Sequence, residues 1–501
     1  MATGKVYQPK NLPIYYESIT NKDMKSISEI MQEKDVSRIY TLLTSRKKGF
    51  TVPFEESEAQ YDAYKHKVMS PYHRKKKVVK VKTDKVDQMT GKPIYKEKKV
   101  ERVRVAVPIQ RVIVERSVGF LFSNPVEYSL NSTSGSDKQQ QEVFEGVKHV
   151  FSDNKMKYMD KRIARALFRE RECAELWYFT LDEASKPKEM RVKLLSPSRG
   201  DRLYPHFDDY DRMDGFARLY FTEDESGRLV EHFDVYTDKL VYKYIHTQGG
   251  WNLIENPKQH GFTKIPVIYY RQEETEWNQV QPAIERVEEL LSNWGDTNDY
   301  FGSPSYFFKG KLQGFAEKGE QGKVYQGEGE GADMKVLSWD SSPASMTAEL
   351  ANLLNIIFSY TQTPDISFEN MKTLGGNTSG VAIKLMFTDP HMKAEVKIEL
   401  FGEMFTRRYN LVQNGYVTSI KAVPESVVNS IYVEPIFKPY MPKNETEEIQ
   451  LISMATGGKP TMSQTEGVKQ NPRVRNAEQT LKELQQEAAA SMMGEAFGMA
   501  E

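Results

Sequence analysis

Groups able to make or break bonds are few and scattered in this chain. Cys173 is the only thiol, placed after Arg171 and Glu172 at what reads as a helix end. A lone cysteine in that setting reads as a half-buried structural thiol rather than a nucleophile. The eight histidines are dispersed, and none lies four residues from another. There is no His-Glu-x-x-His, no Cys-x-x-Cys and no Gly-x-Ser-x-Gly. The nearest approach to a phosphate-cradling loop, Gly457-Gly458-Lys459, runs into Pro460 and lacks the hydroxyl residue that follows the lysine in such loops. These absences argue against an ATPase, a zinc hydrolase or a redox enzyme. No catalytic residue, metal or cofactor is assigned.

Charge is the chemistry that remains, and it is segregated. Between Arg74 and Arg104 stand 13 Lys/Arg against four acids, Asp84, Asp87, Glu97 and Glu101, a local net of +9. Residues 273–300 hold eight acids and one base, Arg286, a local net of −7. Across all 501 residues the two signs nearly cancel, with 69 Lys+Arg, 70 Asp+Glu and a formal net charge of −1. That balance excludes a bulk nucleic-acid coat and an acidic disordered tail. A single cysteine excludes a disulfide framework within the chain. No run approaches the roughly 18 apolar residues of a membrane span. Met1 to Lys10 lacks the apolar core of a signal peptide, so the expected compartment is the cytoplasm, with no membrane partner.

The elements that must position these charges follow from periodicity. Residues 23–48 read as mostly helical, with Ile27, Ile30 and Met31 at helical spacing. Val79-Lys80-Val81-Lys82 alternates, as does part of 100–105, around Met89-Thr90-Gly91-Lys92-Pro93. This predicts a basic β-hairpin or arm over 74–104, either a solvated ribbon with lysine-protected edges or one that contacts an anion or a partner. Helices are expected over 108–122, 139–152 and 155–173. Residues 175–270 then change to short strands: Leu176–Phe179, Val192–Leu195, Phe216–Phe221, His232–Tyr236, Leu240–Ile245 and a closing Gly261–Ile268. Val280, Ile284, Val287, Leu291 and Trp294 repeat at intervals of 4, 3, 4 and 3, and so do Met346, Leu350, Leu353, Ile357 and Tyr360. Two narrow-striped helices are therefore expected, flanking a glycine-rich, β-like insert at 302–342. A polar loop covers 361–378. A long helical pattern follows from Ser379 to about Gln413, with Pro390 inside it and expected to kink it. A strand near 430–437 and a largely helical C-terminal region complete an α+β chain. Capping-box spacing is present at Asn444/Glu447, Ser463/Glu466 and Asn476/Gln479.

This order of elements resembles the portal proteins of tailed bacteriophages, closest to the siphophage branch. Four stretches between about Val107 and Glu487 carry the resemblance. The run Phe120-Leu121-Phe122-Ser123-Asn124-Pro125-Val126 is similar to the family's helix-ending turn, with Ser123 where the family has Gly. Gly261 to Ile268 leads into the Ile284–Trp294 stripe as the family's strand leads into its stem helix. Asn377-Thr378-Ser379-Gly380-Val381-Ala382-Ile383-Lys384 is similar to the start of its long helix. Ser463-Gln464-Thr465, Pro472, Val474 and Glu478 are similar to its crown. The basic stretch 74–104 has no counterpart in the pattern.

The resemblance implies an elongated portal fold with a wing (20–272), stem helices (278–300 and 344–360), a clip (302–343) and a tunnel loop (361–378). A kinked long helix and return strand (379–440) and a crown with C-terminal tail (443–501) follow. It implies a ring, usually of twelve subunits, at one capsid vertex. Double-stranded DNA would pass through that ring. The terminase large subunit, the major capsid and scaffolding proteins, and head-completion or tail connector proteins would dock on it. The virion would be its final location, after assembly in the host cytoplasm. On this mapping Glu285, Glu288, Glu289 and Asp296 would repel phosphates from the channel wall. Asn370, Lys372, Thr373, Gly375, Gly376, Asn377, Thr378 and Lys384 would form the tunnel-loop contact. The residues leave two alternatives open. One is a capsid or tail adaptor without a channel. The other is an enzyme acting on nucleic acid or polysaccharide, with a carboxylate site among the 175–270 strands.

Overall fold

The computed structural model describes residues 25–33, 35–45, 49–86, 88–89, 91, 93–130, 138–183, 186–301, 305–312, 327–337, 343–363, 387–440, 445–457, 460–474 and 476–498. The chain divides into two compact units, Met1–Thr363 with Lys393–Pro439, and Pro364–Met392 with Tyr440–Glu501. Helices and antiparallel sheets share the first unit, so the α+β class holds.

The first unit is organised around the strand Glu172–Leu181. Its first six residues are buried on both faces, because alternate side chains enter different cores. Cys173 and Trp177 face a helical core with Ile113, Phe168, Phe401 and Phe405. Ala174 and Leu176 face a second core with Leu203, Phe216, Tyr236 and Tyr269. This strand pairs with Val267–Arg271 on one side and Pro187–Leu195 on the other. The second core lies between that three-stranded sheet and a larger one. In the larger sheet Gly250–Leu253, Leu240–Thr247, Leu229–Tyr236, Met213–Glu223 and Arg202–Phe207 are neighbours in that order, and Lys258–Gln259 also pairs with Leu240–Thr247. The far face of the larger sheet buries Leu219, Phe233 and Val235 under Ile27, Ile30, Ile39 and Leu43, from the helices Ile27–Ile30 and Val36–Ser45. At Gly215 an added Cβ would stand 2.6 Å from Ile27, so this close approach requires glycine.

The expected helix over 155–173 stops earlier, at Met156–Glu170. Arg171 adopts a left-handed conformation, φ 68°, and ends the helix. Cys173 therefore lies on the strand and is fully buried. Its Sγ donates weakly to the Ile163 carbonyl, and burial pushes its thiol well above the ordinary value.

The long helix expected from Ser379 is described only from Thr388 onward. The helix runs Thr388–Gly415, and Pro390 is its third residue. Backbone N–H groups of the first turn have no intrahelical acceptor, so proline there removes no bond. Residues 379–386, where the expected helix was to begin, lie outside the described residues.

In the second unit, helices Glu445–Thr456, Gln464–Gln470 and Ala477–Gly498 follow one another. Two expected caps are formed: the Glu466 N–H donates to Ser463 Oγ at 3.1 Å, and the Gln479 N–H to Asn476 Oδ1 at 3.2 Å. Asn444, the third cap, lies outside the described residues.

Candidate functional site

The two striped helices form as the spacing predicts, at Gln281–Phe301 and Pro343–Tyr360. Between them the strand Ser305–Leu312 pairs antiparallel with Gly327–Leu337. Ile284, Val287 and Ile357 are buried in the helical core, with Leu291, Leu350, Leu353 and Leu354 packed against it. Tyr360, expected on the same stripe, is instead 78% exposed. Arg286 joins the helices by donating from Nε and Nη2 to Glu349 Oε1 at 2.9 and 2.8 Å.

The acids on Gln281–Phe301 do different things. Glu288 is buried. Its Oε1 accepts from His66 Nδ1 at 2.5 Å and from the Val107 N–H at 2.8 Å. Ser292 Oγ accepts from the Val105 N–H at 2.9 Å, and Asp296 Oδ1 from the Val103 N–H at 3.0 Å. Acceptors four residues apart on the helix thus meet donors two residues apart on an extended segment running the other way. The periods match: four helical residues rise about 6 Å, and two extended residues about 6.6 Å. Gly295 permits the close approach, since a Cβ there would stand 2.6 Å from Val103. Asp296 Oδ2 also accepts from Arg74 Nη2 at 2.6 Å, while Arg74 donates to Asn293 Oδ1 at 2.9 Å and to the Val103 carbonyl at 2.6 Å.

Glu288 is therefore an internal anchor, which corrects the expectation that it lines a wall, while Asp296 is a partly exposed anchor for Arg74 and the Val103 N–H. Glu285 is half-engaged: Lys67 Nζ lies 2.9 Å from its Oε1, and Gln281 also donates to it. Of the four nominated acids, Glu289 is the most open, with a side chain 63% exposed. The local −7 is thus partly neutralised by Lys67 and Arg74. The eight tunnel-loop residues Asn370, Lys372, Thr373, Gly375, Gly376, Asn377, Thr378 and Lys384 lie outside the described residues.

Two charge clusters are built on the long helix Thr388–Gly415, one reaching the strand Glu172–Leu181 and one the segment that follows Val267–Arg271. Arg408 donates from Nε to both Glu175 oxygens at 3.0 Å, and from Nη1 to Asp160 Oδ1 at 2.8 Å. Burial pushes Asp160 up to about 6, although Arg408 pulls the other way. One turn apart on the same helix, Lys393 and Lys397 both reach Glu276, at 2.7 and 2.5 Å. Sequence reading missed these clusters and the helix-to-strand zip. The Glu288/Ser292/Asp296 spacing was the available signal for the zip.

Among the described residues, no group of three or more His, Cys, Asp or Glu could hold a metal ion, and no helix is long and apolar enough to cross a membrane. Residues 54–493 match the family described as phage portal protein, SPP1 Gp6-like. With most of its length covered, the chain belongs to that family, one of structural proteins rather than enzymes. Among solved structures, it is similar to a chain from the virion of a native gene transfer agent (GTA) particle, at 12% identity and a TM-score of 0.34. That likeness covers 71% of this chain and 86% of the other. No curated protein matches the sequence.

Proposed function

We propose that this portal protein closes into a ring of about a dozen copies at one capsid vertex and conducts double-stranded DNA during packaging and ejection. The order of the helix Gln281–Phe301, the paired strands Ser305–Leu312 and Gly327–Leu337, and the helix Pro343–Tyr360 carries the reading. Twenty-one helical residues span about 30 Å, enough for a channel wall. On this reading 278–300 and 344–360 are the stem, 302–343 the clip and 361–378 the tunnel loop. Residues 20–272 and 379–440 build the wing, and 443–501 the crown and tail.

Glu289 is the acid best placed to repel phosphates, since its exposed carboxylate has the weakest internal partner, Arg286 at 4.0 Å. Asn370, Lys372, Thr373, Gly375, Gly376, Asn377, Thr378 and Lys384 touch the passing backbone. The ring receives the terminase large subunit, the connector proteins, and the capsid and scaffolding proteins. Electron microscopy of the purified full chain tests the reading. Closed rings with a central hole support it, and a stable monomer contradicts it.

A further inference from the structure

The paired strands Lys77–Val86 and Pro93–Val100 form a ribbon on which both faces meet solvent. Val78 is 52% exposed and Val81 45%. Register explains how valines stand there. Val78 is opposite Lys99, Val79 opposite Lys98, and Val81 opposite Lys96. Lysine stems can lie over the cross-strand valines and hold their ammonium groups outward. Lys75, Lys80, Lys85, Lys96, Lys98 and Lys99 are exposed, and no ion pair engages them among the described residues. By contrast, Lys76 is paired with Glu101. The ribbon is held at its root by Arg74 and by the zip from Val103 to Val107, described above.

We infer that this ribbon is a sequence-independent grip on the phosphate backbone of duplex DNA. Its composition separates that partner from a protein. Cores of protein interfaces are depleted in lysine, whereas phosphate contacts are made largely by Lys and Arg. The ribbon has lysines on both faces. A two-stranded ribbon is also narrow enough to enter a major groove about 12 Å wide. The inference goes beyond the conduit reading, because a conduit must let DNA slide whereas the ribbon would hold it. A chain that formed no ring would still bind DNA this way.

The test is a fluorescence-anisotropy titration of the full-length protein with a short labelled duplex at 50 and 200 mM salt. With about four phosphate contacts, wild-type affinity falls roughly 100-fold between those salts. Combined Lys80→Gln, Lys96→Gln, Lys98→Gln and Lys99→Gln should weaken binding at 50 mM by about tenfold or more and flatten the salt dependence. The same four positions changed to Arg should restore both. The inference is overturned if the Gln variant binds like wild type, if the Arg variant is as weak as the Gln variant, or if polyglutamate of equal charge binds as tightly as the duplex. It is also overturned if the Gln variant changes oligomeric state by light scattering while its DNA affinity is unchanged.

Discussion

Arg74 Nη2 lies 2.6 Å from Asp296 Oδ2, tying the root of the basic ribbon to the helix Gln281–Phe301 across 222 residues of sequence. The same carboxylate accepts the Val103 N–H at the ribbon's other foot. One acid thus fixes both strands where they leave the subunit. Asp296→Ala removes both acceptors, and each hydrogen bond to a charged group contributes about 1.5–3 kcal/mol. Limited proteolysis should therefore cut within 75–104 faster in the variant. Asp296→Asn keeps an oxygen for Val103 and should lie between. Equal cleavage rates would show that the root is held elsewhere.

Arg408 is fully buried among Glu175, Asp160 and Tyr270. Arg408→Met leaves Glu175 without its countercharge, and breaking a buried pair in this way costs about 3–5 kcal/mol. Adding Glu175→Gln removes the stranded charge, so the double variant should recover part of the loss in thermal unfolding. A double variant no more stable than Arg408→Met would contradict this account.

The two anchoring pairs should respond oppositely to pH. Burial alone would lower His66, but the Glu288 hydrogen bond and charge outweigh it and raise it above 6.5. Its contribution is therefore complete below about pH 6.5 and lost as pH rises through the folded value. For Glu276, burial raises the carboxyl, but Lys393 and Lys397 outweigh it and hold it below 4.5. That contribution is present above about pH 4.5 and lost as pH falls through the folded value. Comparing wild type with His66→Gln and Glu276→Gln across pH isolates each term. A stability difference that does not change with pH in these windows would contradict the assignments.

Cys173 should resist thiol reagents in the folded chain, because it is fully buried and its thiol is pushed up. Stoichiometric labelling without denaturant would mean that the central strand opens readily.

Gly375→Val with Gly376→Val, in the proposed tunnel loop, should impair DNA packaging more than ring formation. Packaging at the wild-type rate would argue against a moving loop there.

Local patterns were legible and distant partnerships were not. Ile284 and Val287 announced their helix because a repeated stripe is a property of neighbours in sequence. The basic ribbon announced itself through its Val-Lys alternation. Arg202–Phe207 was passed over because Pro205 interrupts it; the strand lies at the edge of its sheet, where proline is tolerated. Glu288 read as a wall acid because its partners His66 and Val107 are 222 and 181 residues away. Pro390 stands in the first turn of Thr388–Gly415, a position that spacing alone does not fix.

The central claim is a ring that surrounds DNA, and electron microscopy of the purified full-length protein tests it most directly. The account predicts closed particles of about a dozen copies, with paired stem helices around a central hole and Glu289 on the lumen side. A monomer, or a closed assembly with no central passage, would contradict it.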